Sequence, residues 1–306
     1  MLSYILRRLV GSVIVLYIIV TFAFFMIRIA PGGPFDQERA LPPDILKNIE
    51  KKYHMDEPLW KQYLSYTKNV FFHLDLGPSY KYPSRDVNEF IADGFPVTLT
   101  LGFYALLVAI MIGVGMGLTA ALRQNTRWDY TAMAFAMIGV SIPGFVLAPI
   151  LQLVFSIGLQ WLPVAGWDSW KQVILPAFAL GAAYAAAIAR LTRGGMLEIV
   201  RQDYIRTARA KGLPEKLIVL RHMIKGGLLP VVSYLGPAAA FLLSGSLVIE
   251  KIFDIPGLGR HFINSALNRD YTMTLGMAIF FSAMILVFNI VVDVLYTYLD
   301  PRVKYD

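Results

Sequence analysis

The chain has 306 residues, of which 57% are hydrophobic and only 16% charged, whereas a soluble domain carries about 25% charged residues. It has no cysteine, which excludes disulfides, thiolate metal sites and a cysteine nucleophile. The net charge of +7 comes without a basic, aromatic-studded face in any soluble stretch, so it points to membrane topology and headgroup contact and not to nucleic acid.

Met1 to Arg8 and the apolar run Val10–Ile27 read as an uncleaved anchor, because the run is too long for a signal peptide and no Ala-x-Ala site follows. Residues 31–94 are different in kind, with ten acidic and eight basic residues. Pro42-Pro-Asp44 opens a helix there with Ile45, Ile49 and Tyr53 on one face. Glu57-Pro58 opens another, with Leu59, Tyr63, Tyr66 and Val70 aligned and Trp60, Leu64 and Phe71 beside them. A third short helix around Val87–Ile91 has the apolar side of an interfacial helix, in Val87, Phe90 and Ile91. The segment reads as a small external helical lobe with too few residues for a strong core of its own. It separates residues 1–30 from a membrane core at 95–306.

Further uncharged runs follow at Phe95–Leu122, Tyr130–Trp167, Gln172–Ala189, Gly226–Ile249 and Tyr271–Val292, each of at least 18 residues. A span needs roughly 20 apolar residues. The run from Tyr130 is long enough for two spans, with Ile142-Pro-Gly-Phe145 as a break. The segment 193–225 decides the count, since it holds eight Lys/Arg against three acidic residues. The positive-inside rule places it in the cytoplasm only if Tyr130–Trp167 is one bent span ending near Leu159. The expectation is an all-α polytopic membrane protein with six transmembrane helices. Both termini lie in the cytoplasm, and 31–94 and 250–270 outside.

The basic segment itself is patterned. Asp203 reads as an N-cap, Tyr204–Lys211 as a short helix and Gly212 as its stop. Pro214 starts a second helix with Leu217, Leu220 and Ile224 along one face. Two short helices joined at Gly212-Leu-Pro214 make a shaped protrusion, which reads as a docking element; a resemblance described below implies that Ala208 allows close approach of the partner and that Arg206 and Arg209 meet its acidic groups. Farther on, Asp254-Ile-Pro256-Gly257-Leu-Gly259 reads as a turn, and Glu250 just before it as part of an external gate.

Other features have ordinary explanations. Gly113-Val-Gly-Met-Gly117 sits in mid-span with no preceding strand, so it serves helix packing, as do Gly181 to Ala187 and Gly236 to Ala240. No Gly-x4-Gly-Lys-Ser/Thr sequence occurs, so the chain has no phosphate-binding loop of its own. His54, His73, His222 and His261 lack metal-ligand spacing. Arg28, Arg190, Glu250 and Asp293 stand at span edges, which leaves no proton relay for a secondary transporter. No His or Lys lies at span depth for an intramembrane hydrolase. Neither a secondary transporter nor an intramembrane hydrolase finds its residues here.

The run Arg206-Thr-Ala-Arg-Ala-Lys-Gly212 resembles the EAA loop of binding-protein-dependent ABC importers in its peptide-permease form, with Ala208 and Gly212 matching. Its Glu-Ala opening is replaced by Arg206-Thr207. Its closing Leu-Pro is displaced to Leu229-Pro230 from the place where Ile224-Lys225 stands. Tyr4-Ile-Leu-Arg-Arg, Ala30-Pro-Gly, Asp75-Leu-Gly, Gln124-Asn-Thr, Pro256-Gly-Leu-Gly259 and Asp300-Pro extend the resemblance over the whole chain. The resemblance, to the B-type membrane subunits of peptide importers, implies the type I ABC importer permease fold in a bacterial inner membrane. It implies ATPase coupling through Asp203, Tyr204, Arg206, Thr207, Ala208, Arg209 and Gly212, and an outer turn at Glu250, Pro256, Gly257 and Gly259. It also implies several partners: a homologous second membrane subunit, two ATP-binding subunits that hold ATP and Mg, an external peptide-binding protein, an oligopeptide substrate and membrane lipid. This chain would hold no cofactor. Similar subunits serve dipeptide, nickel and glutathione import.

Overall fold

In the computed structural model the described residues are 2–29, 51, 55–82 and 84–299; side chains are described from 6 to 294. The helix expected at Pro42-Pro-Asp44, the Ala30-Pro-Gly and Asp300-Pro motifs, and Arg302 and Lys304 lie outside them. The described residues form helices and contain no strand. They are α1 (Leu2–Ile29), α2 (Leu59–Lys68), α3 (Val87–Leu122), α4 (Arg127–Ser141), α5 (Gly144–Gly158), α6 (Trp170–Val200), α7 (Asp203–Ala210), α8 (Glu215–Gly227), α9 (Leu229–Leu243), α10 (Leu247–Ile252), α11 (Leu258–Leu267) and α12 (Tyr271–Leu299). Among them α1, α3, α6 and α12 are long and apolar enough to cross a membrane, and the count reaches six when α4–α5 and α8–α9 are each one broken span.

The chain forms two compact units. One contains residues 1–97 and 256–290, the other 98–255 and 291–304. In the first, Val20, Phe24, Val70, Val87, Phe90, Ile91, Leu258 and Met273 share a core. Helix α2 lies on α1 through Tyr63, whose hydroxyl is 2.7 Å from that of Thr21 and donates to Tyr17 at 3.0 Å. Of the face expected on α2, Tyr63, Tyr66 and Val70 pack inward, while Leu59, Trp60 and Leu64 are exposed. Helix α2 continues as a π-helical turn over Asn69–His73, and Phe71 joins the packed side. Val87–Ile91 is not a separate interfacial helix. It is the first part of α3, and Val87, Phe90 and Ile91 are buried in protein.

In the second unit α6 is the central helix, and its small residues explain why. A methyl group built at Gly113, Gly117, Gly139 or Gly181 would come 2.6–2.7 Å from a backbone carbonyl oxygen of a facing helix. Backbones therefore meet where side chains are absent, as membrane helices require. Gly115 faces open space and takes no part. The Tyr130–Trp167 run is more than bent: α4 and α5 meet at 108° across Ile142-Pro143. Pro143, just before α5, cannot donate a hydrogen bond back into α4, and the preceding Ile142 is pushed to an extended conformation. The expected span Gly226–Ile249 is likewise divided. Pro230 opens α9 at 56° to α8, and Gly245, at φ +83°, ends the segment before α10.

Candidate coupling segment and the Pro256 turn

Helix α6 does not stop at the membrane run; it carries Arg190 and Arg193 to Val200, and Arg201-Gln202 turn the chain into α7. The N-cap of α7 is Gln202, not Asp203, whose carboxylate instead lies 3.5 Å from Arg206. At the other end Gly212 N–H donates to Arg209 O at 2.9 Å and Leu213 N–H to Ala208 O at 3.3 Å. With Gly212 at φ +73° this is a Schellman stop, so Gly212 ends the helix as its position predicts. Arg209 then grips Glu215 at the start of α8 with two hydrogen bonds, of 2.6 and 3.1 Å. These bonds hold the Glu215 carboxyl below the usual carboxylate range and push the Arg209 guanidinium up. The acidic partner expected for Arg209 thus lies on the same chain.

Two further expectations are corrected here. Ala208 is 7% exposed and faces its own chain, in a cluster with Ala121, Met196, Ile205, Ile218, Val219 and Met223. Positions 205 and 208 are one turn apart and form the inward seam of α7. The outward side consists of Asp203, Tyr204, Arg206, Thr207 and Arg209. On α8 Ile218, Val219, Met223 and Gly227 are buried and Ile224 packs half-buried on the same cluster, as expected of it, whereas Leu217 and Leu220 are exposed. A π-helical turn covers Ile218–Met223, and the buried Ile218 and Met223 stand five apart at its two ends.

Ala208→Trp is therefore expected to overpack the chain's own seam, at about 1–3 kcal/mol. Limited proteolysis of the purified chain should show faster cleavage within 201–227 even with no partner present. Unchanged cleavage would contradict the inward placement of Ala208.

A polar contact that the pattern did not reveal supports this segment from below. Arg193 donates from Nε and Nη2 to the two oxygens of Asp129 at 2.7 and 2.8 Å, joining α6 to the first turn of α4. Asp129 also accepts from the Asn125 N–H at 3.0 Å, where Asn125 takes a left-handed conformation. Asp129 is 2% exposed and Arg193 29%. The two residues are 64 positions apart, and neither has local spacing that marks the other.

The four residues expected at the outer turn divide between the two units. Glu250 is not in a turn; it is fully buried within α10, which Ser246 caps by accepting from Ile249 N–H at 3.3 Å. The turn itself falls earlier than expected, at Phe253-Asp254 with Asp254 at φ +51°; Pro256 is in irregular backbone, Gly257 is the extended N-cap of α11, and Gly259 already belongs to that helix's first turn. Gly257 and Leu258 lie against Gly94 of α3 so closely that a methyl group on Gly94 would stand 3.1 Å from the Leu258 nitrogen. No group of His, Asp and Glu among the described residues forms a metal site.

Comparison with known proteins agrees with this architecture. Residues 90–305 match the family described as binding-protein-dependent transport system inner membrane component, and residues 1–102 match the N-terminal part of such membrane components. The oligopeptide transport system permease protein OppB of Salmonella typhimurium is 53% identical, with 100% of both chains covered. The dipeptide transport system permease protein DppB of Bacillus subtilis is 42% identical over 99% of this chain and 98% of that one. Among solved structures, an inward-facing MetNI methionine ABC transporter matches with a TM-score of 0.58 at 18% identity, over 69% of this chain and 97% of that chain. An amino acid ABC transporter matches at 0.55 and 17%, over 69% of this chain and 94% of that one. The broken helices, the glycine-mediated packing around α6 and the full-length matches lead to one conclusion: this chain belongs to the inner membrane components of binding-protein-dependent transport systems.

Proposed function

We propose that this chain is a permease subunit of an ATP-driven oligopeptide importer and that α7 is the element on which an ATPase docks. The observation that carries this is the two-sidedness of α7. Ile205 and Ala208 lock it to α6 and α8, and Tyr204, Arg206 and Thr207 are left outward on a rigid support. Full-length identity of 53% to an oligopeptide permease favours oligopeptides over the dipeptides of a 42% identical relative. In this reading 193–225 and both termini are cytoplasmic, and 31–94 and the Pro256 turn are outside. The chain forms half of the pathway with an OppC-like subunit. OppD-like and OppF-like subunits bind ATP and Mg, and an OppA-like protein delivers peptide. ATP-driven closure of the ATPase pair moves α7 and shifts an equilibrium between inward- and outward-facing states that differ by a few kcal/mol.

Two measurements test the reading in the co-expressed complex. Because the chain has no cysteine, Ala210→Cys offers a single exposed thiol. An impermeant thiol reagent should label it only after the cells are opened. Tyr204→Ala combined with Arg206→Glu should leave the chain folded but reduce both retention of the ATPase subunits and peptide uptake by about tenfold, as loss of an interface anchor does. Labelling of intact cells, or wild-type retention and uptake in the double variant, would refute it.

A further inference from the structure

At the end of α1 the first unit contains a cavity of about 350 Å³, whose lining includes Arg28, Glu57, Lys61, Gln62, Tyr66 and Tyr80. Its size is at the lower end of small-ligand pockets, which span about 300–1,000 Å³. Its chemistry is asymmetric. The Arg28 guanidinium rests on the Phe24 ring, 3.6 Å from the centroid, and donates from Nε and Nη2 to a single neutral acceptor, Gln62 Oε1, at 3.2 Å each. Gln62 is fixed with its oxygen toward Arg28, because its amide nitrogen donates to Met55 O and Glu57 O. A guanidinium has five N–H donors and stays charged, and among the described residues only two of them are used.

Among the described residues no carboxylate lies at ion-pair distance from Arg28. Glu57 pairs with Lys61 at 2.8 Å, so that pair adds no net charge. The Tyr66 hydroxyl in the same lining is buried and has no hydrogen-bond partner among the described residues. Burial pushes the Tyr66 phenol up, which keeps its proton available for donation. A partly buried cation beside an orphaned hydroxyl is a costly arrangement unless something anionic completes it.

We propose that this cavity binds a small oxyanion, held by the charge and free N–H groups of Arg28 and by the hydroxyl of Tyr66. Two sources carry that chemistry: the C-terminal carboxylate of a peptide and the phosphate of an anionic lipid headgroup.

The test uses the full chain in nanodiscs. In phosphatidylcholine discs, calorimetric titration compares trialanine with its C-terminal amide. In discs that also contain phosphatidylglycerol, native mass spectrometry counts the anionic lipid retained. If a peptide carboxylate is the ligand, the free acid binds at least about tenfold more tightly than the amide, and Arg28→Gln abolishes the preference. Arg28→Lys, which keeps charge without the planar fork, retains part of it. Tyr66→Phe removes one oxygen without changing the fold and weakens binding about two- to tenfold; it carries the test if Arg28→Gln fails to fold. If the headgroup is the ligand, the peptide forms do not differ, but the same variants lose retained phosphatidylglycerol. The proposal is overturned if neither ligand responds to Arg28 or Tyr66 substitution. Neither arm uses ATP or transport, so either result leaves the importer reading to its own experiments.

Discussion

Gly195→Ala should separate α6 from α8, whereas Gly194→Ala, one residue away, should be neutral or mildly stabilising. A methyl group on Gly195 would fall far inside van der Waals distance of the Gly227 carbonyl oxygen, while one on Gly194 meets nothing within 4 Å. A carbonyl oxygen in a helix has no alternative rotamer, so the helices themselves must move. Overpacking costs about 1–3 kcal/mol, and the upper part of that range is expected. The neighbour gains helix propensity of about 0.8–1.0 kcal/mol relative to glycine. Thermal unfolding of the purified pair should show a clear fall for Gly195→Ala and none for Gly194→Ala. Equal melting of the two variants would show that the backbones are not in contact.

The second large effect concerns the Asp129–Arg193 pair, and its two halves should not be equivalent. Arg193→Gln strands a carboxylate that is 2% exposed, with only the Asn125 N–H still donating to it. Breaking a buried pair from one side costs about 3–5 kcal/mol. Asp129→Asn instead leaves a guanidinium that is 29% exposed and can turn toward water along its apolar stem, so a loss of about half that size is expected. Arg193→Lys keeps the charge but loses the two-pronged geometry and should fall between wild type and Arg193→Gln. Chemical denaturation of the three variants in detergent gives the ordering. A larger loss for Asp129→Asn than for Arg193→Gln would reverse the assignment of which charge depends on the other.

Composition and local spacing made much of this molecule legible. Long uncharged runs marked the membrane helices, because a span must satisfy its backbone within itself and present apolar side chains. Gly212 was readable because a helix stop with φ above zero favours one residue type. What was hidden depends on geometry that sequence spacing does not carry. Of the face expected on α8, Ile224 packs on the inner cluster, but Ile218, Val219 and Met223 stand there in place of Leu217 and Leu220. Ala208 is a small residue in a docking motif, and smallness alone does not say whether the close neighbour is a partner or the chain itself. Asp129 and Arg193 meet only after two helices fold together, and the cavity at Arg28 needs three separate stretches of chain to exist.

The Schellman stop, the Arg209–Glu215 grip and the apolar seam of Ile205 and Ala208 have a mechanical consequence. Each restrains α7 in a different direction: its end, its link to α8 and its underside. A force applied to Tyr204 or Arg206 therefore has no slack loop to stretch. It is delivered as compression into Met196 and Ile218, and from there along the axes of α6 and α8. If a partner pushes on the outer surface of α7, the expected route to the long helix is this side-chain packing and not a flexible loop.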